Sequence, residues 1–432
     1  MRASRCTSAL LGLCAAIALA LAPMPASAQQ LRGHGGPVRA VAILADGQRA
    51  VTGSFDQSVI VWSTGAGTAE AVLRFHDGSV NTVLALADGR FASAGEDGRI
   101  AIWRIRRPEP EQVIEGHTGP IVALAQSPDG RLIGSASWDG TARLSPLAGG
   151  SARVLSGHSG NVNGIAFLAD GTAATSGYDA TVRFWPAEGT AARVVTLPAV
   201  LNAVVSAPDG EVAVAGGDGH LRFVGSDGRI RAELEIAPTP LVALAITADG
   251  SAVAAGGIRG NVAIIERASR AVRANLVGPG LPVWSLAFTP DGNELLSGGA
   301  DRLVRRWNAR TGEHIGEVVP RSEADPLAAF RGERGAEVFR ACAACHTLTA
   351  DGGNRAGPTL HGIFGRRIAT AHGYNFSPAL RGMDIVWSRE TIARLFEIGP
   401  NAYTPGTKMP EQVITSADDR KALVEWLEKV TR

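Results

Sequence analysis

The chain has 432 residues, a length that suggests two or three domains, and its 45% hydrophobic content lets large cores be buried. A formal net charge of +1 gives no reason to expect a nucleic acid as partner.

Arg2 and Arg5 precede an apolar stretch over residues 9–22, and Ala26-Ser27-Ala28 follows it. This order of charge, apolar core and small-residue cleavage site predicts a secretory leader, residues 1–28, removed after Ala28. The apolar run is shorter than the ~20 residues that a spanning helix needs, and Leu13 stands where a lipid-modified Cys14 would want a small residue. No later stretch is long enough to span a bilayer, so the mature chain is expected without a transmembrane segment. Cys6 and Cys14 leave with the leader, which reduces the mature chain's cysteines to Cys342 and Cys345.

Residues 29–320 carry a period. Asp-Gly pairs begin at Asp46, Asp88, Asp129, Asp170, Asp209, Asp249 and Asp291, spaced by 42, 41, 41, 39, 40 and 42 residues. Seven turn signals at that spacing predict seven repeated units. Each follows an apolar run, such as residues 121–125 or 283–288, which reads as a strand buried on both faces. An aspartate is followed six residues later by tryptophan at Asp56/Trp62, Asp97/Trp103, Asp179/Trp185 and Asp301/Trp307, and Gly-His pairs stand at His34, His117 and His158. With these residues the segment resembles the WD-repeat family, which implies a seven-bladed all-β propeller. Ser145, Val224 and Ile265 hold the tryptophan slot of the third, fifth and sixth repeats, so those rest on period more than motif.

His34, Ser54 and Asp56 look by name like a hydrolase triad, but the His and Asp slots recur in other repeats. The resemblance implies a structural hydrogen-bond network shared with Trp62, with Gly95, Gly177 and Gly299 leaving it incomplete in the second, fourth and seventh repeats. No dinucleotide fingerprint or metal-spaced cluster stands out in the propeller sequence. Two segments compete to close the ring: the N-terminal residues 29–32, and residues 313–319, which are favoured because they leave only a short linker, residues 321–326.

The last part, residues 327–432, contains Cys342-Ala343-Ala344-Cys345-His346. Two thiols at this spacing can each form a thioether to a haem vinyl group, and the adjacent histidine is placed to give the iron a nitrogen. A redox C-x-x-C would want a βαβ setting, and a zinc site a second ligand pair nearby; the sequence has neither.

Around the motif the segment resembles a class I cytochrome c, an all-α domain. Residues 335–339 match that family's first helix, and Leu423, Trp426, Leu427 and Val430 form the stripe of a last helix starting at Ser416, with Asp419 completing a capping pair. The resemblance implies one haem c, covalent through Cys342 and Cys345 and ligated by His346. It implies that Pro358 orients the His346 ring through its carbonyl, that Arg366, Trp387 and Tyr374 lie on the propionate side with Ser377, and that His361 is not a ligand. Removal of Met1 and Met24 leaves Met383 and Met409, and residues 403–410 around Met409 resemble the family loop that delivers the axial thioether. Phe376 and Leu395 replace tyrosines of many members, and one residue is inserted near Gly399-Pro400. The family also implies haem attachment outside the cytoplasm, in keeping with the leader and a periplasmic location.

With both axial positions filled, the expected function is one-electron transfer, the propeller serving as docking platform for a redox partner protein. The alternative is that the propeller is an enzyme module that oxidises or reduces a small molecule and passes electrons to the haem.

Overall fold

In the computed structural model, residues 30–432 are described except 190, 279, 317–326, 341, 351, 356, 375, 408, 410 and 411. The expected leader and linker lie outside the described residues. Each repeat folds into one four-stranded antiparallel sheet, and seven sheets form the ring. In blade 1 the strands run Val38–Ile43, Arg49–Ser54, Ser58–Ser63 and Thr68–Arg74, from the central channel outward. Every Asp-Gly pair makes the turn between first and second strands. Its glycines take φ values between +67° and +84°, which a residue with a Cβ reaches only under strain. The aspartate accepts from a backbone N–H two residues on, as Asp46 does from Gln48 at 2.9 Å.

The apolar runs ahead of these turns are not the most buried strands. Strand Ile121–Gln126 is mostly half-buried because the innermost strand lines the central channel. Burial on both faces belongs instead to the second strands, such as Phe91–Gly95 and Ala173–Gly177, sandwiched between neighbouring blades.

The ring is closed by the N-terminal segment, contrary to the expectation that favoured residues 313–319. Gln30–Arg32 pairs antiparallel with Leu303–Asn308, Leu31 opposite Val304, and forms the outer edge of blade 7. Leu31 is 1% exposed, so this strand fills the apolar site that a competing strand would need. In the later segment His314 bridges Trp307, and residues 317–319 lie outside the described residues.

The recurring histidines are structural. Trp62 Nε1 donates to Thr52 Oγ1 (2.8 Å), the hydroxyl contacts His34 Nε2 (2.7 Å), and His34 Nδ1 faces Asp56 Oδ2 (3.0 Å). An indole N–H can only donate and a carboxylate can only accept, so the chain runs Trp, Thr, His, Asp, with the proton on Nδ1. The expected Ser54 is not its hydroxyl: it caps the next turn by accepting from Asp56 N. The working slot lies two residues earlier, on the same strand face. Ser93 and Thr175 therefore complete the relay in blades 2 and 4, and Ser297 receives Trp307 in blade 7, despite the glycines at 95, 177 and 299. In blade 3 His117 still bonds Ser135 and Asp139 without a tryptophan. Burial works against the Asp139 carboxylate, but bonds from Thr141 and His117 prevail and bring it down to about 2.

Alternating strand direction puts the second-to-third turns and the blade-to-blade connections at the same end of the ring. Phe55, Trp138 and Tyr178 occupy equivalent positions in those turns and are 42%, 43% and 48% exposed. The helical unit sits against this end of blade 1: Tyr374 packs on the cluster containing Leu31, Ile60 and Val72.

That unit comprises α1 (Arg334–Phe339), α2 (Pro378–Arg381), α3 (Arg389–Ile398), α4 (Pro400–Tyr403) and α5 (Ala417–Val430). Ser416 caps α5 by accepting from Asp419 N at 3.1 Å, and Ser388 caps α3. Helix α1 crosses α5, and α3 packs on it. Phe330 and Phe339 lie against Trp426, with ring centroids 5.3 and 5.2 Å away. No helix among the described residues is long and apolar enough to cross a membrane.

Candidate cofactor site

After α1 the chain makes one tight helical turn, Cys342–Ala344, in which Cys345 N and His346 N both donate to the Cys342 carbonyl at 3.0 Å. This turn aims both thiols and the imidazole into one cavity, which encloses about 1200 Å³ of empty space, open solvent included. Cys342 and Cys345 form no disulfide with each other, and Cys342 is buried. Burial pushes the Cys342 thiol up to about 12 and raises Cys345 as well.

His346 Nδ1 lies 2.7 Å from the Pro358 carbonyl oxygen. A carbonyl only accepts, so Nδ1 carries the proton and Nε2 keeps its lone pair. Burial lowers the imidazole to about 4, leaving it neutral near pH 7, the form that binds metal. Gly357 makes the approach possible: a Cβ there would lie 2.4 Å from His346 Cε1. Its N–H also donates to the Cys345 carbonyl at 2.9 Å, tying loop to motif.

The remaining candidates come to the same cavity. Pro358, Arg366, Tyr374, Trp387 and Met409 all contribute to its wall, with Phe376 and Leu395 in the positions of the missing tyrosines. Arg366 donates to the carbonyls of His361 (3.0 Å) and Thr359 (2.7 Å), holding the loop after Pro358 in shape. Trp387 is tied to it by a backbone bond to the Arg366 carbonyl (3.0 Å). Ser377 Oγ donates to the Gly406 carbonyl at 2.9 Å, joining the Tyr374 loop to the Met409 loop, and Met409 N donates to Thr407 Oγ1 at 3.1 Å. Lys408 and Pro410 of that loop lie outside the described residues. Met383 and His361 are not in the cavity wall.

This donor set fits a haem. It combines two thiols, a neutral imidazole with a fixed tautomer, a thioether, and an apolar wall whose charged members among the described residues are Arg74, Arg366 and Arg367. Arg74 comes from blade 1, and no feature of the sequence singled it out. Sequence reasoning also missed a convergence in blade 5, where ligand atoms of Asp218, His220 and Glu233 lie within 4.8 Å of one another. Arg222, 1% exposed, already bridges the two carboxylates at 2.6 Å each.

Residues 332–431 match the family model described as cytochrome c. Residues 26–63, 67–104, 108–144, 149–186 and 272–308 match that of the WD domain, G-beta repeat. The cytochrome c of Gibberella zeae is 39% identical over 101 residues, 94% of that protein and 23% of this chain. Those of Cochliobolus lunatus and Arabidopsis thaliana are each 40% identical over 101 residues, covering 93% and 89% of those proteins and 23% of this chain.

Proposed function

From the premise that the chain belongs to the cytochrome c family through residues 332–431, behind a WD-repeat propeller, we propose that it is a periplasmic electron carrier. It holds one haem c through Cys342 and Cys345 with His346 and Met409 as ligands, and its propeller docks a redox partner protein. The observation that carries this reading is the meeting of the thiol pair, His346 and Met409 in one apolar cavity. When bound, the haem supplies a one-electron iron couple. The chain supplies the rest. Pro358 fixes the His346 ring and raises its basicity, the loop bonds from Ser377 and Thr407 hold Met409 at the wall, and the apolar lining excludes water. Export through the leader at residues 1–28 brings the chain to a compartment suited to haem attachment.

Two experiments test this. Met409→Ala lowers the midpoint potential and lets the ferrous protein bind carbon monoxide, whereas Met383→Ala leaves the visible spectrum unchanged; the reverse pattern sinks the ligand assignment. For docking, periplasmic extract is split by a size filter and its rate of haem reduction or reoxidation measured. The macromolecular fraction is expected to react, with a loss of at least tenfold in Trp138→Ala/Tyr178→Ala, since exposed aromatics are frequent binding hot spots. A response confined to the small-molecule fraction would make the propeller an enzyme module instead.

A further inference from the structure

Arg74 closes the outermost strand of blade 1, Thr68–Arg74, far from any cofactor motif in sequence. Its side chain nevertheless forms part of the wall of the cavity that holds His346 and Met409. Nε donates to Tyr374 Oη at 2.5 Å, and a terminal nitrogen donates to the Asp56 carbonyl at 3.3 Å, so the guanidinium is held from both units. Burial works against its charge, but Tyr374 and Asp56 outweigh the burial and keep it cationic.

The described residues of the cavity wall include three arginines and no carboxylate; the Asp56 carboxylate, outside the wall, acts on Arg74. Arg366 has both terminal nitrogens turned onto backbone carbonyls, and Arg367 lies 3.4 Å from Asp384 and more than half exposed. An apolar slot lined by guanidinium groups complements a flat apolar ligand that carries carboxylates, which describes a haem and its two propionates. Resting on the reading of this cavity as a haem site, we propose that Arg74 is a haem-binding residue contributed by the propeller, its guanidinium pairing with a propionate. The charge disfavours ferric iron and so raises the potential. The propeller thereby completes the pocket as well as neighbouring it.

The test uses the full-length chain and four proteins: wild type, Arg74→Gln, Arg74→Lys, and Arg231→Gln on the outer strand of blade 5 as control. Haem content is read from the alkaline pyridine spectrum, and the ferrous-to-ferric ratio at fixed applied potential from spectroelectrochemistry. Arg74→Gln lowers that ratio by about tenfold, as expected for a lost charge beside the haem, equivalent to about 59 mV for one electron. Arg74→Lys stays within about threefold of wild type, and Arg231→Gln does not move. A fully loaded Arg74→Gln protein with the wild-type ratio overturns the proposal. If Arg74→Gln does not accumulate, Arg74→Lys decides by resonance Raman. A shifted propionate-bending band supports the pairing, because a point charge replaces a planar fork; an unchanged band refutes it. A wild-type protein without haem would sink the site itself, a failure separate from one confined to Arg74.

Discussion

Full-length protein with Cys342→Ala and Cys345→Ala together loses all haem that survives denaturation, whereas the wild-type chain carries the mass of one. The expectation follows from the geometry of the turn Cys342–Ala344, which aims both sulfurs into the cavity beside His346. Burial also pushes the Cys342 thiol up to about 12 and raises Cys345. Two thiols so placed can each form a bond once, during maturation, with a vinyl group of the haem. Intact-mass spectrometry of denatured protein reads the result directly. Either single variant retains one thioether and hence the full haem mass; the double variant retains none. A wild-type chain of bare polypeptide mass, or one that co-purifies with zinc, would refute the reading.

The propeller was legible where local chemistry repeats. An Asp-Gly turn needs a residue that tolerates positive φ and a carboxylate that receives the next backbone N–H, so its period of about 40 residues survives even where the tryptophan is gone. Blades 5 and 6, with Val224 and Ile265 in that slot, fold like the others. What misled was the assignment of roles within a repeat. Ser54 and Thr52 share a strand face, and sequence spacing alone cannot say which hydroxyl stands diagonal to Trp62 across the ladder. Ring closure was misjudged for a related reason. Residues 313–319 are nearer in sequence to blade 7, but the strand that wins is the one that buries Leu31.

The site divides in the same way. Cys342, Cys345 and His346 lie on one turn, and the loops carrying Pro358, Arg366 and Met409 keep the order expected of the family, so every named candidate reached the cavity. Arg74 did not show itself. Its slot, two residues ahead of a repeat histidine, is filled by Arg32, Glu115 and Ser156 in other repeats, and nothing local distinguishes it. Its position in the pocket comes from the docking of one unit on the other, a tertiary fact with no short-range signature.

Gly335→Ala lowers the melting midpoint of the haem-bearing unit by roughly 12–24 °C and leaves the propeller transition in place. At the crossing of α1 and α5 a Cβ on residue 335 would lie 2.3 Å from Trp426 Cβ and 2.4 Å from the Ala422 carbonyl oxygen. The second contact is with helix backbone and cannot be relieved by turning a side chain, so the helices must separate. Separation loosens the packing of Phe339 and Phe330 on Trp426, which places the case at the upper end of overpacking costs, about 3 kcal/mol. For a unit of about 100 residues each kcal/mol is worth about 4–8 °C. The cavity suffers with the crossing, because Phe339 and Leu427, one from each helix, both line it. Melting followed in the haem absorption band reports this unit, and calorimetry of the same sample reports both. A shifted haem-band transition beside an unmoved propeller peak is the expected pair. An unmoved haem-band transition would mean that the first and last helices do not cross at Gly335, and the packing that shapes the cavity would have to be sought elsewhere.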